Sequence, residues 1–418
     1  MLPEVKTKVK ELKDYKGIIK DSLFSEITEL ARSLKGLRVI MINATPKGGG
    51  VAEILNSLIP LMRGLDIDAR WHVIPAGQIF SGLLTKEIHN ALQGKEYTLP
   101  LSSRKLYLQH TKNLTKLLKN MKADIWVLHD PQPAGLISCL PNLHPSISHI
   151  HIDTSCPNKS AWNFIEPFLL QYDRIIFSLK DFVAKNLPKE KVVVFPPAID
   201  PLTKKNKPLS LIKAKKILKR IGISPKQPLI SQISRFDPWK DPLGVIKAWK
   251  LAKKKIPALQ LAYAGIFLAL DDPDAIRIFK KVGKVVKNEK DVFLFADPKT
   301  LSNLKVDTFI NALQSGSDVI LQKSLREGFG LSVTEAMWKG KPVIGGNVGG
   351  IKLQIENGKS GFLVSSPEEA SKKIVQLVEN PKLTNKLGKA ARERVREKFL
   401  IPRFLRDYLK IFHQLTRT

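Results

Sequence analysis

The chain has 418 residues, of which 43% are hydrophobic and 26% are charged, a composition typical of a globular protein with enough length for two cores. Lys and Arg number 69 against 38 Asp and Glu, so the net charge is +31 and a nucleic-acid or anionic-lipid partner has to be considered. No stretch approaches about 18 apolar residues, and the 2 cysteines give neither a metal-ligand pattern nor a disulfide framework. These properties predict a cytoplasmic protein without a transmembrane segment.

The excess positive charge is concentrated in two lysine-rich stretches, Lys213–Arg220 and Lys247–Lys255. Apolar residues recur at helical spacing in both, so we interpret them as amphipathic helices with basic outer faces. The chain has no zinc-finger pattern, no RNA-binding signature and no basic arm with interleaved aromatic residues. Solvated helix faces therefore explain the charge better than a nucleic-acid site, and no nucleic-acid partner is expected.

The chain begins with a segment of helical pattern, Glu4–Leu34, followed by a buried strand, Leu37–Asn43. A glycine cluster, Gly48–Gly50, separates this strand from a second helical pattern, Val51–Met62. Glycines between the first strand and its helix let a ligand approach the backbone closely. The alternative is a simple tight turn, although three consecutive glycines exceed what such a turn needs.

Strands and helices continue to alternate, and polar residues gather where the strands end. His129 and Asp130 follow one predicted strand, while His151 and Asp153 lie at the end of the next. Open α/β sheets bind ligands at this edge, so these residues are candidates for a site. His149 is expected to be packed or exposed, because His151 takes the position at the strand end. The further strands predicted in this half are Ala69–Ile74, Ala123–Leu128, Ser148–Ile152, Arg174–Phe177 and Val192–Phe195.

A stiff break at Pro196–Pro201 marks a domain linker, after which a second α/β series begins. Strands separated by helices imply parallel sheets, and hence two doubly wound domains. The chain closes with a helix near Pro381–Lys398 and an apolar-patterned segment, Pro402–Thr418. The strands predicted in the second series are Leu229–Ile233, Leu259–Ala264, Val292–Phe295, Asp318–Leu321, Pro342–Ile344 and Gly361–Val364.

The stretch Leu325–Gly350 carries the strongest indication of a ligand site. Its glycines, Gly328 and Gly330, lie at a strand-to-helix turn, where backbone N–H groups and the helix dipole favour an anion. Glu327 precedes the turn, and Glu335 follows it on the helix Leu331–Lys339. A phosphate flanked by two carboxylates suggests a sugar nucleotide, whose hydroxyl groups need acceptors. The alternative is an ordinary turn with two solvated glutamates.

A second informative turn, Ser234–Asp241, follows the first strand of the second domain. Arg235 and Lys240 place two cations around its Asp-Pro sequence, and such a pair would neutralise a diphosphate leaving group. The alternative pairs Arg235 with Asp237 at the surface and leaves Lys240 in solvent.

Together these motifs resemble the retaining glycosyltransferases of family 4, which have the α/β GT-B fold: two facing Rossmann-like domains with a deep cleft between them. Glu327 and Glu335 resemble the paired-glutamate motif of that family, Arg235 and Lys240 its diphosphate clamp, and the three glycines its N-terminal glycine loop. Within the family, several segments are most similar to archaeal and bacterial trehalose synthases. These are Gly48–Leu55, His89–Gly94, His129–Pro133, His151–Ser155, Ser234–Lys240 and Arg326–Gly345.

The resemblance implies an N-terminal acceptor domain over residues 1–197 and a C-terminal donor domain over 198–398. Residues 399–418 would form a helix that packs back on the N-terminal domain. The implied catalytic residues are Arg235, Lys240, Glu327 and His151. The implied donor-binding residues are Gly49, Gly50, Gly328, Phe329, Gly330, Leu331 and Glu335, and those for the acceptor are Asn43, Asp130 and Gln132.

The implied reaction is retaining transfer of glucose from ADP-, UDP- or GDP-glucose onto free glucose, which gives α,α-trehalose reversibly. No tightly bound cofactor and no metal site are expected, and the chain is a candidate homodimer. Two alternatives stay open: a retaining trehalose phosphorylase, and a family 4 transferase with a lipid-linked or glycan acceptor at a membrane.

Overall fold

The computed structural model describes residues 1–75, 84–140, 142–265 and 273–417. The chain divides into two compact units, Met1–Ala198 with Ile401–Thr418, and Ile199–Leu400. Each contains one six-stranded sheet in which every recorded pairing is parallel. This alternation of strand and crossover helix agrees with the α/β prediction.

The first unit orders its strands β2-β1-β3-β4-β5-β6. The chain passes from β1 to β2 on one side and then to β3 on the other, so the order reverses between β1 and β3. The strands are β1 Arg38–Asn43, β2 Asp68–Val73, β3 Ile125–His129, β4 Ser146–Ile150, β5 Arg174–Phe177 and β6 Val192–Val194. The helices are α1 Asp21–Ser33, α2 Gly50–Arg63, α3 Thr85–Leu92, α4 Leu101–Leu118 and α5 Lys159–Leu169.

The second unit orders its strands β12-β11-β10-β7-β8-β9, with the reversal between β7 and β10. Apolar side chains cover both faces of this sheet, around Trp249 and Tyr263 on one face and Phe309 on the other. The strands are β7 Leu229–Ile233, β8 Gln260–Ala264, β9 Val292–Phe295, β10 Val319–Gln322, β11 Val343–Gly346 and β12 Gly361–Val364. The helices are α6 Leu211–Lys219, α7 Pro242–Lys253, α8 Pro273–Val285, α9 Val306–Gly316, α10 Leu331–Trp338, α11 Gly349–Gln354, α12 Pro367–Val378 and α13 Pro381–Lys398.

The last helix, α14 (Ile401–Leu415), belongs to the first unit. It buries an apolar stripe that includes Phe404, Tyr408 and Phe412. Glu26 of α1 forms ion pairs with Arg406 and Lys410 of α14 at 3.1 and 2.6 Å. The chain therefore returns to its first unit after completing the second.

The prediction of a helix throughout Glu4–Leu34 is wrong before Asp21. The N–H of Val5 donates to the carbonyl of Trp71 at 2.8 Å, and the N–H of Val73 donates to the carbonyl of Pro3 at 3.0 Å. Strand β2 lies at the edge of its sheet, and its unpaired backbone groups recruit this segment into extended pairing. The segment before Asp21 contains only a short 3₁₀ helix, Leu12–Tyr15, whereas residues 21–33 have the apolar periodicity of an α-helix.

Candidate active site

The turns that follow β7 and β10 meet in the second unit, because these two strands are neighbours at the reversal of strand order. Lys240 comes from the first turn and Glu327 from the second, and their Nζ and Oε1 atoms are 2.7 Å apart. Only 16% and 10% of these side chains are exposed. Glu327 also accepts a hydrogen bond from the Ser324 hydroxyl at 3.0 Å. The structure thus joins two predicted site residues in one buried ion pair.

Short polar contacts fix the conformation of the turn that carries Lys240. Asp237 accepts a hydrogen bond from the N–H of Trp239 at 2.8 Å, and Asp241 accepts one from the N–H of Gly244 at 3.0 Å to cap α7. The carbonyl of Trp239 accepts the N–H of Leu325 at 2.8 Å, which ties the two turns together. Lys240 is therefore held by backbone geometry as well as by its ion pair.

Arg235 lies at the surface, with 57% of its side chain exposed and its guanidinium 3.3 Å from Asp237. The surface-pairing alternative thus describes Arg235 in this structure, but the same alternative is wrong for Lys240, which does not lie in solvent. An exposed guanidinium with one weakly held partner can still turn towards an anion.

The glycine turn before α10 is built by positive φ angles and close backbone contacts. Gly330 precedes the helix with φ +83°, and the helix begins at Leu331. The first N–H groups of any helix have no partner within that helix, so this end is suited to an anion. A side chain at Gly349 would place its Cβ 1.8 Å from the carbonyl oxygen of Glu327. Backbone packing therefore fixes the position of this turn.

Glu335 is buried in α10, and both of its carboxylate oxygens have partners. Lys205 approaches Oε1 at 2.6 Å, and the amide of Gln314 donates to Oε2 at 3.1 Å. Burial acts to raise the pKa of Glu335, but the ammonium groups of Lys205 and Lys339 outweigh it, so this pKa is lowered. Glu335 is thus an ionised acceptor whose charge is already balanced by the protein.

Lys205, which forms an ion pair with the predicted site residue Glu335, was not identified from the sequence. It belongs to the polar segment after the linker, where Asn311 donates to the carbonyls of Lys204 and Lys207, both at 2.9 Å. These contacts hold the segment against α9 and bring the Lys205 ammonium to Glu335. In the sequence, Lys205 is one of several lysines in a polar segment, and no spacing rule distinguishes it from the others.

The carboxyl ends of β3 and β4 bring His129, His151 and Asp130 together in the first unit. Asp130 has φ +66° and accepts a hydrogen bond from the N–H of His151 at 2.9 Å. Nδ1 of His129 lies 3.0 Å from Nε2 of His151. Strand β4 ends at Ile150, two residues before the predicted end, so His151 directly follows the strand.

Burial makes these groups unusual acids and bases. It lowers the pKa of His151 to about 3 and raises the pKa of Asp130 to about 7, against a smaller opposing effect of the bond from His151. At neutral pH His151 is therefore an uncharged imidazole, and the Asp130 carboxyl is protonated in a substantial fraction of the molecules.

The Asp130 carboxyl makes protein stability depend on pH in a direction opposite to most carboxylates. The folded protein holds this proton up to about pH 7, whereas an unfolded Asp releases it near about pH 4. Wild type should therefore lose stability relative to Asp130→Asn as pH rises from about 4 to about 7, by at most about 1.4 kcal/mol per pH unit. Urea unfolding at several pH values measures this, and a stability difference independent of pH would contradict it.

The remaining predicted site residues of the first unit differ in how far they are exposed. Gly49 has φ +121° and precedes α2, which begins at Gly50, and both glycines are exposed. Asn43 is buried, with its amide donating to Thr45 and accepting from Trp71 at 2.7 and 2.8 Å. These two bonds orient its side chain at the end of β1. Oε1 of Gln132 is buried and has no partner within the described residues, so it remains available as an acceptor.

Comparison with known proteins places this arrangement in a family. A model described as the N-terminal domain of trehalose synthase matches residues 41–184, and one described as glycosyl transferases group 1 matches residues 213–394. The trehalose synthase of Pyrococcus horikoshii is 44% identical over 409 residues, which cover 97% of each chain. That of Rubrobacter xylanophilus is 38% identical over 420 residues and 99% of each chain. The chain belongs to the trehalose synthase family.

This chain is more distantly similar to trehalose phosphorylases. The phosphorylase of Grifola frondosa is 29% identical to this chain and matches 87% of it, but only 55% of the phosphorylase itself. Sucrose-phosphate synthase of Thermosynechococcus elongatus has a similar fold, with a TM-score of 0.71 at 16% identity over 91% of this chain and 99% of that one. The predicted GT-B fold of two Rossmann-like domains is confirmed, and so is membership of the glycosyltransferases. No described helix has the length and apolar character needed to cross a membrane.

Proposed function

We propose that this member of the trehalose synthase family is a retaining glucosyltransferase that makes α,α-trehalose reversibly from a nucleoside-diphosphate glucose and free glucose. The observation that carries the proposal is the buried pair of Lys240 and Glu327 beside the glycine turn. A departing diphosphate needs cations and N–H donors, while a hexose needs acceptors for its hydroxyl groups. One protein of the same fold, HepE of Anabaena, was solved with UDP-glucose, which supports a sugar-nucleotide substrate.

The donor would be held by the second unit. Lys240 and Arg235 would bind the diphosphate, with support from the N–H groups of Gly328, Phe329, Gly330 and Leu331. Glu327, already oriented by Lys240 and Ser324, would accept hydroxyl groups of the donor glucose. Glu335 would accept the ribose hydroxyl groups.

The first unit would supply the acceptor side. Asn43, Asp130 and Gln132 would bind the acceptor glucose, and His151 would face the donor sugar near the reacting carbon. Gly49 and Gly50 would close over the phosphates. In the reaction, the bond from the donor anomeric carbon to the diphosphate oxygen breaks while the acceptor hydroxyl oxygen bonds to the same face. The hydroxyl proton passes to the departing phosphate, and the protein contributes positioning and charge stabilisation.

Glu335→Gln is expected to raise the KM for the sugar nucleotide at least fivefold while kcat changes little. An amide accepts hydrogen bonds from a ribose less strongly than a carboxylate, by roughly 1 kcal/mol or more. The same substitution also removes the ion-pair partner of Lys205. Lys205→Met therefore serves as a second variant, because it breaks the ion pair but keeps the Glu335 carboxylate. Lys207→Met, at an exposed neighbour, is its matched control. Steady-state kinetics with varied donor concentration measure the effect, and an unchanged donor KM in Glu335→Gln would count against the ribose role.

The decisive test is a screen of ADP-, UDP- and GDP-glucose with free glucose, with the product resolved by chromatography and NMR. The expected result is α,α-trehalose and the matching nucleoside diphosphate in equal amounts. Formation of β,β-trehalose would exclude retention, because the transferred glucose would then have the β configuration, and failure with all three donors would exclude the proposed reaction.

The main competing function is phosphorolysis of trehalose, which the similarity to the Grifola frondosa enzyme brings into consideration. A cation pair beside a helix N-terminus would also bind inorganic phosphate. Incubating trehalose with phosphate or with nucleoside diphosphates separates the two functions. We expect consumption of trehalose only with a nucleoside diphosphate, and consumption with phosphate alone would establish the phosphorylase instead.

A further inference from the structure

Three histidine rings lie together at one sheet edge of the first unit. His149 in β4 is paired in register with His129 at the end of β3, and His151 is two residues further along the same side. The rings of His149 and His151 stack with their centroids 3.9 Å apart. Nδ1 of His129 approaches Nε2 of His151 at 3.0 Å. The proposed function uses His151 but leaves the other two rings without a role.

All three imidazoles are neutral in the folded protein. Burial holds the pKa values of His129 and His149 well below the usual range, and His151 lowers them further. A neutral imidazole carries one proton, so only one nitrogen of the His129–His151 contact can be the donor. The direction of this hydrogen bond therefore determines which nitrogen of His151 bears its proton.

The surroundings of His129 distinguish the two directions. Its Nε2 atom is buried and has no hydrogen-bond partner within the described residues. If His151 donated, His129 would carry its proton on Nε2, as a buried N–H without an acceptor, which is rare in folded proteins. If His129 donates instead, its proton lies on Nδ1 within the hydrogen bond, and no N–H of His129 is left unpaired.

We infer that His129 is a positioning residue that donates from Nδ1 to Nε2 of His151 and so keeps the proton of His151 on Nδ1. This tautomer leaves His151 with an N–H to offer to an oxygen of the sugar substrate. The inference rests on the proposed function, since it concerns the residue placed near the reacting carbon. Two neutral rings thereby supply a directed hydrogen-bond donor without adding a charge.

The C-terminal helix α14 packs against the stacked rings of His149 and His151. Nδ1 of His149 lies 2.6 Å from the hydroxyl of Tyr408, and the ring of Phe404 packs 6.0 Å from the same histidine. His149 in turn provides the flat surface on which His151 rests. The return of the chain to its first unit therefore fixes the ring plane of His151, while His129 fixes its proton.

His129→Leu and His129→Asn form a matched pair of variants. The Asn amide can place a donor near the position of Nδ1, whereas Leu fills similar space without one. We expect His129→Leu to lower kcat about tenfold or more with an unchanged donor KM, and His129→Asn to retain most of the activity. His144→Leu, which alters an exposed His in the same unit, should behave as wild type.

The position of the proton on His151 separates positioning from a merely structural role. In wild-type protein, ¹⁵N shifts should show a protonated Nδ1 and an unprotonated Nε2 in His151. This NMR measurement needs no variant, so it decides the question even if His129→Leu does not fold.

Several results would overturn the inference. These are the reverse ¹⁵N pattern, equal kinetics in the Leu and Asn variants, or loss of wild-type activity with a chelator that zinc alone restores. The last would make the three rings metal ligands, since their nitrogens lie within 4.8 Å of one another among the described residues. Full activity of His151→Ala would instead refute the proposed role of His151, whereas an inactive His151→Ala with a normal His129→Leu would refute only the positioning role.

Discussion

Lys240→Met is expected to lower kcat at least a hundredfold. Removing one charged group that stabilises a leaving oxyanion costs about 2–4 kcal/mol of barrier, and Lys240 is held beside the glycine turn by its ion pair with Glu327. The same change leaves the Glu327 carboxylate buried without its ion-pair partner, so the unfolding temperature should also fall. Steady-state kinetics and thermal unfolding of the purified variant measure the two effects.

Lys247→Met is the matched control, because Lys247 forms an ion pair with Glu368 in which both side chains are mostly exposed. That variant should keep wild-type kinetics. Arg235→Ala should lose activity as severely as Lys240→Met, but with little loss of stability, because its contact with Asp237 is long and exposed. Near-normal turnover in Lys240→Met or Arg235→Ala would refute the diphosphate role of that residue.

Gly349→Ala is expected to lower kcat about a hundredfold by displacing Glu327. The new Cβ would lie 1.8 Å from the Glu327 carbonyl oxygen, a backbone atom that cannot move without shifting the turn. Gly349 also has φ +42°, which a residue with a Cβ adopts reluctantly. The expected loss of stability is about 2–4 kcal/mol, measured by urea unfolding alongside the kinetics.

Gly358→Ala separates the cost of backbone conformation from that of the clash. Gly358 has φ +78°, yet no atom lies within 4 Å of the position its Cβ would take. The control should lose about 1 kcal/mol of stability and keep full activity. If Gly349→Ala retained wild-type turnover, the backbone contact with Glu327 would have no part in holding the site.

The local elements were predictable because they depend on nearby residues. Buried apolar runs between helical patterns predicted β1, β3, β7 and β10 close to their observed bounds. The helix predicted over Leu331–Lys339 is observed as α10, Leu331–Trp338, and Gly340 just beyond it has φ +71°. The N-terminal segment was mispredicted because its partner, the edge of β2, lies about seventy residues away in sequence and contributes no local pattern.

The site was predictable as separate motifs, but their mutual contacts were not. Lys240 and Glu327 were each identified from their own turns, yet whether Lys240 lay in solvent or beside Glu327 depended on the strand order. The structure placed β7 beside β10, and the two side chains, 87 residues apart, became an ion pair. Lys205 had no motif at all, and only the packing of its segment against α9 gives it a partner in Glu335.

The sequence by itself determined which residues end the strands, and with them the types of group available for chemistry: two glutamates, two cations, a histidine and the glycine turns. It also carried the family resemblance, because those motifs are short and contiguous. The tertiary structure alone decided that the negative charge of Glu335 is balanced by lysine side chains. It also decided that Tyr408, 259 residues from His149, contacts the histidine stack. The physical reason is that local sequence specifies backbone conformation and amphipathic faces, whereas burial, ion pairing and proton position depend on groups brought together by the fold.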